Sequence, residues 1–288
     1  MVNRLILVEG IPGAGKTTTA RKLRDQLISE GKDVILYEEG MLHPADMAWH
    51  AYLTEEEYEA FVSQCLKMYE RSDRSITEEE LIERIEDQMR REDDHIVLAY
   101  TRIDFPQESY WKLTDEVASK EIFDGRRSLN EFTQIHLRRW TRFKEEAEKS
   151  DVISIFECAF LQNHIFELLA IHQKNLNEIY NHLRTLLDTV SELDPSIVYI
   201  EPSSVEDAID QAAEERRSPD DPDRDWIIQI ADWVSRSPYG RTRGLHGRQG
   251  VYAFCEERLR TDKVMIERLG IPVTFIRRET KKGRNEET

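Results

Sequence analysis

Long apolar runs are missing from this chain. No stretch approaches the roughly 20 consecutive apolar residues that a membrane helix needs, so no membrane partner is expected. The apolar run at residues 3–9 is too short for a signal peptide and leads straight into glycines. Cysteine is scarce as well. Cys65, Cys158 and Cys255 are far apart and odd in number, which argues against a disulfide frame or a cysteine metal site. The expectation is three reduced thiols in a cytoplasmic protein. The eight histidines are scattered, and none has metal-ligand spacing with a second His or a Cys. No internal repeat is evident. Positive charge is in deficit, with 40 Lys and Arg against 57 Asp and Glu and a net charge of −17. Such a surface repels nucleic acid and anionic membranes, yet leaves room for a local basic pocket that takes a phosphorylated ligand.

What is present is an alternation of strands and helices. The 288 residues suffice for one large domain or two small ones. Residues 3–9 read as a buried parallel strand, 15–30 as a helix stopped at Gly31, and "VILYEE" (34–39) as a second strand. Together they make a βαβ crossover. Residues 54–94 are rich in Glu, Arg and Lys and have no internal Pro or Gly. "TEEEYEAFVSQCLKMYERSDRS" and "TEEELIERIEDQMRRED" each read as an amphipathic helix with a Thr cap and a Glu three residues on. "HIVLAY" (95–100) reads as a strand, and 108–123 and 128–149 as helices. Strands follow at 151–158, 196–202 and 271–278. Helices are expected over 162–192, 204–217, 225–236 and 251–269. Residues 237–250, "SPYGRTRGLHGRQG", read as a glycine- and arginine-rich loop, and the tail after 278 as disordered. The pattern predicts one α/β domain over 1–288: a three-layer fold with a central parallel sheet, a large helical insertion at 41–150 and a lid at about 203–250.

One stretch carries chemistry without help. Gly10, Ile11, Pro12, Gly13, Ala14, Gly15, Lys16 and Thr17 match G-x-x-x-x-G-K-[ST] without a gap. Glycines let successive amides point inward, and the following helix adds its positive N-terminal end. In such a phosphate loop (P-loop), Lys16 reaches the β- and γ-phosphates and the Thr17 hydroxyl ligates Mg²⁺. With Thr18 these residues form the expected site for ATP and Mg²⁺.

Phosphoryl transfer also needs a carboxylate near the metal or acceptor, and cations on the migrating group. Glu157, at the C-terminal end of the 151–158 strand, is placed where open parallel sheets bind ligands. It could serve catalysis and metal alike, or be a strand-end acid paired with an arginine. Gln162 and Asn163 follow it and could bind an acceptor, though Asn163 could equally cap the next helix. Arg216 and Arg217 close one helix, while Arg241, Arg243 and Arg248 lie in the 237–250 segment. They suggest a mobile flap over the triphosphate, or solvated cations balancing "DDPDRD". Candidates for an acceptor pocket are Glu38, Glu39, His43, Tyr100, Arg102 and Arg139. Trp111 and Trp140 could stack on a base or belong to the core.

At these residues the chain resembles the nucleoside and nucleotide kinases of the P-loop class, closest in layout to thymidylate kinases and deoxynucleoside kinases. "VEGIPGAGKTTTARKL" is similar to their phosphate loop, "YEEG" to the acidic segment after their second strand, and "EERRSP" to their arginine-bearing lid. "FECAFLQN" stands in the place of their Asp-Arg motif, but Glu157-Cys158 replaces the pair and its arginine is missing. The resemblance covers about half the chain. It implies ATP-dependent phosphorylation of a small-molecule acceptor, and it leaves the oligomeric state open, a homodimer included. The alternatives are a P-loop NTPase that couples ATP hydrolysis to a protein partner, or a non-catalytic nucleotide-binding module. Asn-Lys-x-Asp and Leu-Ser-Gly-Gly are both absent, which excludes the ordinary G-protein and transporter-ATPase signatures.

Overall fold

The computed structural model describes residues 3–69, 76–105, 107–219 and 221–279, without the side chains of residues 107–111. Two compact units emerge. The first comprises residues 1–36 and 140–288, and the second residues 37–139.

The first unit begins with β1 (Leu5–Glu9), buried at all five positions as a central parallel strand requires. The phosphate loop leads into α1 (Lys16–Ser29), and β2 (Val34–Tyr37) follows. The chain then leaves for the second unit. It returns through β6 (Ile153–Glu157), α6 (Gln162–Ile165), a π-helical turn (Phe166–Ile171), α7 (Leu176–Thr189), β7 (Ser196–Pro202), α8 (Val205–Glu215), α9 (Trp226–Arg236), α10 (Pro238–Arg243), α11 (Gly247–Leu269) and β8 (Val273–Arg278). The sheet order is β2-β6-β1-β7-β8. β1 pairs in parallel with β6 on one side and β7 on the other, so β1 is flanked by both strands whose ends can carry chemistry. This is the expected α/β P-loop architecture with a central parallel sheet. Trp140 belongs to its core: the indole is fully buried against Phe156 and Phe160. The side chain of Trp111 lies outside the described residues.

Two expectations fail here for local reasons. The helix expected over 162–192 is broken. The π-helical turn ends at Ile171, and α7 starts afresh behind Asn175, whose side chain accepts from the Asn177 and Glu178 amides in a capping box. The flexible loop expected at 237–250 is largely helical. Ser237 caps α10 by accepting from the Gly240 amide, and Pro238 occupies its first turn. Gly240 there serves packing, not flexibility, since a Cβ would lie 1.8 Å from the Val234 carbonyl oxygen.

The second unit is not purely helical. β3 (Ala51–Leu53), α2 (Glu55–Tyr69), α3 (Glu78–Glu86), β4 (Met89–Glu92), β5 (His95–Leu98), a 3₁₀ turn (Tyr100–Arg102), α4 (Gln107–Ala118) and α5 (Leu129–Ala147) follow one another, α5 carrying the boundary at residue 139. β3-β5-β4 form an antiparallel sheet. The expected helix over 77–93 therefore stops early. Thr77 and Glu80 do form the capping box, but "MRRE" pairs with β5 through a tight turn in which Asp93 takes φ 56°. Its apolar core gathers Phe61, Leu81, Ile85, Ile96, Leu98 and Leu113. Among the described residues no helix is long and apolar enough to cross a membrane. All three cysteines are free and buried, and burial pushes the Cys65 and Cys255 thiols up to about 12.

Candidate functional site

The site forms in the first unit where β1 and β6 end side by side. Their register sets Val8 against Glu157, so a strand that runs into the phosphate loop and a strand that ends in an acid deliver both at one sheet edge. Gly15, at φ 91°, is the left-handed residue from which α1 departs, a conformation a side chain would strain. Lys16 is buried, and its Nζ donates to the Ile11 carbonyl at 3.0 Å, folding the lysine back over the loop. Thr17 Oγ1 donates to Glu157 Oε1 at 2.5 Å. Loop, lysine, threonine and Glu157 are thus brought together, and Thr18 follows on the exposed side of α1.

Behind this edge lies an acid that the sequence reading passed over. Glu9 has no solvent exposure. Its Oε1 accepts from the Phe160 amide at 2.8 Å and its Oε2 from the Gln162 amide at 2.9 Å. Burial raises its carboxyl to about 7, against the opposing pull of those amides and of Arg258. Arg258, also fully buried, pairs with Asp262 at 2.6 Å and donates to the Gln162 carbonyl at 2.8 Å. The Tyr199 hydroxyl donates to Asp262 at 2.8 Å. The available signal was an acid closing an otherwise apolar strand, "LILVE", and an Arg and an Asp four apart on one helix face. Gln162 and Asn163 are buried in this framework. Asn163 lies within α6 and donates its amide to the Cys158 carbonyl at 3.2 Å, so it is not the helix cap.

A second cation went unnoticed. Arg278, the last residue of β8, reaches the phosphate loop, its Nη1 3.4 Å from the Ala14 carbonyl oxygen. The five candidate arginines, Arg216, Arg217, Arg241, Arg243 and Arg248, are engaged elsewhere in part. Arg217 pairs with Glu214 at 2.5 Å and Arg248 with Asp210 at 2.5 Å. Arg216 stands 5.2 Å above the Trp226 ring and Arg243 3.7 Å above Tyr239. Arg241 is exposed on α10. Arg217 and Arg248 also line a cleft of about 520 Å³ with Asp210, Glu214 and Asp225.

The remaining candidates lie in the second unit, where each is tied into the fold. Arg139 is buried, pairs with Glu92 at 2.6 Å and donates to the His43 carbonyl. Tyr100 is buried and donates to Glu121. Burial raises the Glu121 carboxyl to about 7. His43 Nδ1 accepts from the Ala45 and Asp46 amides, and burial lowers this imidazole to about 3. Glu38 accepts from the Met41 amide through its carbonyl at 3.1 Å. Arg102 is the more exposed of the group and donates to the Glu39 carbonyl at 2.5 Å, while the Glu39 carboxylate takes the Trp49 indole N–H at 3.4 Å.

The family model described as Chromatin associated protein KTI12 matches residues 4–90, a span that carries β1, the phosphate loop, α1 and β2 and continues to β4. No curated protein matches the chain.

Proposed function

We propose that the chain is a P-loop NTPase that binds ATP with Mg²⁺ at the Lys16–Thr17–Glu157 edge and couples hydrolysis to a protein partner. The observation that carries this reading is the 2.5 Å bond from Thr17 to Glu157. Thr17 is the threonine that a phosphate loop offers to Mg²⁺, so an acid bonded to its hydroxyl stands at the ion rather than out at an acceptor pocket. The donor set fits the ion: a hydroxyl and a carboxylate are hard oxygen ligands, and the adjacent loop amides suit phosphate oxygens. Bound Mg²⁺ would neutralise charge that develops on the β- and γ-phosphates. Lys16 supplies a further positive charge to the γ-phosphate, and Glu157 orients a water for attack.

Two features favour a protein partner over a small acceptor. The residues first considered for an acceptor pocket, Tyr100 and Arg139, are spent on Glu121 and Glu92. The matching family is described as chromatin associated, which names a macromolecular assembly. A net charge of −17 favours the basic proteins of such an assembly over its DNA.

A small-molecule kinase, with a nucleotide or nucleoside as acceptor, is the second reading. It is favoured by the cleft between Arg217 and Arg248, whose mixed charges suit a polar metabolite. The two readings part on products. Mg-ATP incubated with the chain and a metabolite panel should give ADP and inorganic phosphate in equal amounts, with a rate that rises when the partner is added. A phosphorylated metabolite in place of inorganic phosphate would establish the kinase.

A further inference from the structure

We propose that Glu9 is a positioning residue: its carboxylate holds the turn that presents Glu157 to Thr17. The inference rests on the reading of Glu157 as the metal-side carboxylate.

A carboxylate with no exposure at the end of an apolar strand is costly unless its oxygens are used. Both are, and by neighbouring amides of a single turn: Phe160 on Oε1 and Gln162 on Oε2. That turn begins one residue after Glu157 and is strained. Cys158 has φ 68°, a left-handed conformation unusual for a residue with a Cβ. Strain of this kind persists only where the surroundings over-determine it. Here the Cys158 amide donates to the Val8 carbonyl at 3.1 Å, and the Cys158 carbonyl accepts from Asn163 at 3.2 Å. Glu9 grips the middle of the turn, and Arg258 fixes its far end through the Gln162 carbonyl. Arg258 is itself held by Asp262, and Asp262 by Tyr199 of β7.

The position explains the residue type. Glu9 directly precedes Gly10, so the side chain that grips the Glu157 turn and the backbone that opens the phosphate loop belong to adjacent residues. The distance from Thr17 to Glu157 is thereby set by a rigid unit. Glutamine would keep one acceptor oxygen and turn an NH₂ toward an amide N–H, so only a carboxylate satisfies both donors. The phosphate-loop motif itself places no demand on this position.

The test uses the full chain, wild type and Glu9→Gln. Affinity for a non-hydrolysable ATP analogue is measured by calorimetry with and without Mg²⁺, and ATP turnover is titrated against Mg²⁺. Loss of an outer partner of a metal ligand typically weakens metal affinity about 10- to 100-fold. Glu9→Gln should therefore need about ten-fold more Mg²⁺ for half-maximal turnover, with Mg²⁺-free analogue affinity unchanged. An unchanged Mg²⁺ requirement, or equal loss of binding with and without Mg²⁺, would overturn the proposal. Hydrogen exchange gives a readout that does not depend on turnover. The Phe160 and Gln162 amides should exchange slowly in wild type and quickly in Glu9→Gln; fast exchange in wild type also overturns it. If wild type shows no Mg²⁺-dependent nucleotide binding, the functional reading fails, and the exchange pattern still decides whether Glu9 holds the turn.

Discussion

Each unit of the molecule is built round one buried arginine, and the two are used differently. In the first unit Arg258 pairs with Asp262 at 2.6 Å and spends its remaining donor on the Gln162 carbonyl, in the turn after Glu157. In the second Arg139 pairs with Glu92 at 2.6 Å, and its Nη2 donates to the His43 and Asp46 carbonyls. The first arginine braces a sheet edge where a phosphate loop and an acid meet. The second pins residues 43–46 against β4 and α5. A buried charge therefore does not mark a site by itself. What separates the cases is whether the brace ends on a turn that presents a reactive group.

The largest effect that would break this comparison is on stability. Arg139→Leu leaves Glu92 buried without its arginine, and removing one partner of a buried pair costs about 3–5 kcal/mol. Urea unfolding followed by hydrogen exchange should show the loss in residues 37–139. Nucleotide affinity falling first, with the second unit still protected, would place Arg139 in a binding role. Lys16→Ala should do the reverse. It should cut ATP turnover by about 10²- to 10³-fold, the range for loss of one preorganised donor, and leave the urea midpoint near that of wild type.

Acidity should act on the second unit. In the second unit burial holds His43 at about 3 and His50 at about 4, below the ordinary 6.5. The unfolded chain then binds the extra protons, and stability is lost as the pH falls below 6.5. Glu121, at about 7, opposes one of the two histidines. One uncompensated proton corresponds to about 1.4 kcal/mol per pH unit. Protection factors at pH 5 and 7, corrected for intrinsic exchange, should therefore fall in the second unit on acidification. The smallest effect expected is that of Arg278→Ala, about ten-fold weaker nucleotide affinity through loss of one charge-assisted contact at the loop. No change would show that the Ala14 contact is incidental.

The parts legible in the sequence are those where pattern and chemistry coincide. "LILVEGIPGAGK" announces a buried strand, a tight loop and a helix start, and Glu157 follows from a second apolar strand that ends in an acid. β4 was illegible because "MRRE" is charged at every position after Met89 and becomes a strand only by pairing with β5. The break before α7 was legible in principle, since Asn175 and Glu178 carry the capping-box spacing within an otherwise helical run. The roles of Glu9, Arg258 and Arg278 depend on residues more than 90 positions away meeting in space, through the 160–162 turn and the phosphate loop. The same holds for Tyr100 and Arg139, where residue type alone suggested substrate contacts and tertiary partners supply internal ones.

The most direct test of the central claim is the product of ATP turnover in wild type and Glu157→Gln with Mg²⁺ and the metabolite panel. If Glu157 serves the metal and the attacking water, wild type releases ADP and inorganic phosphate in equal amounts. Glu157→Gln then keeps Mg²⁺-free analogue affinity but loses turnover. Stoichiometric transfer of phosphate to a small molecule, or near-normal hydrolysis by Glu157→Gln, would contradict it.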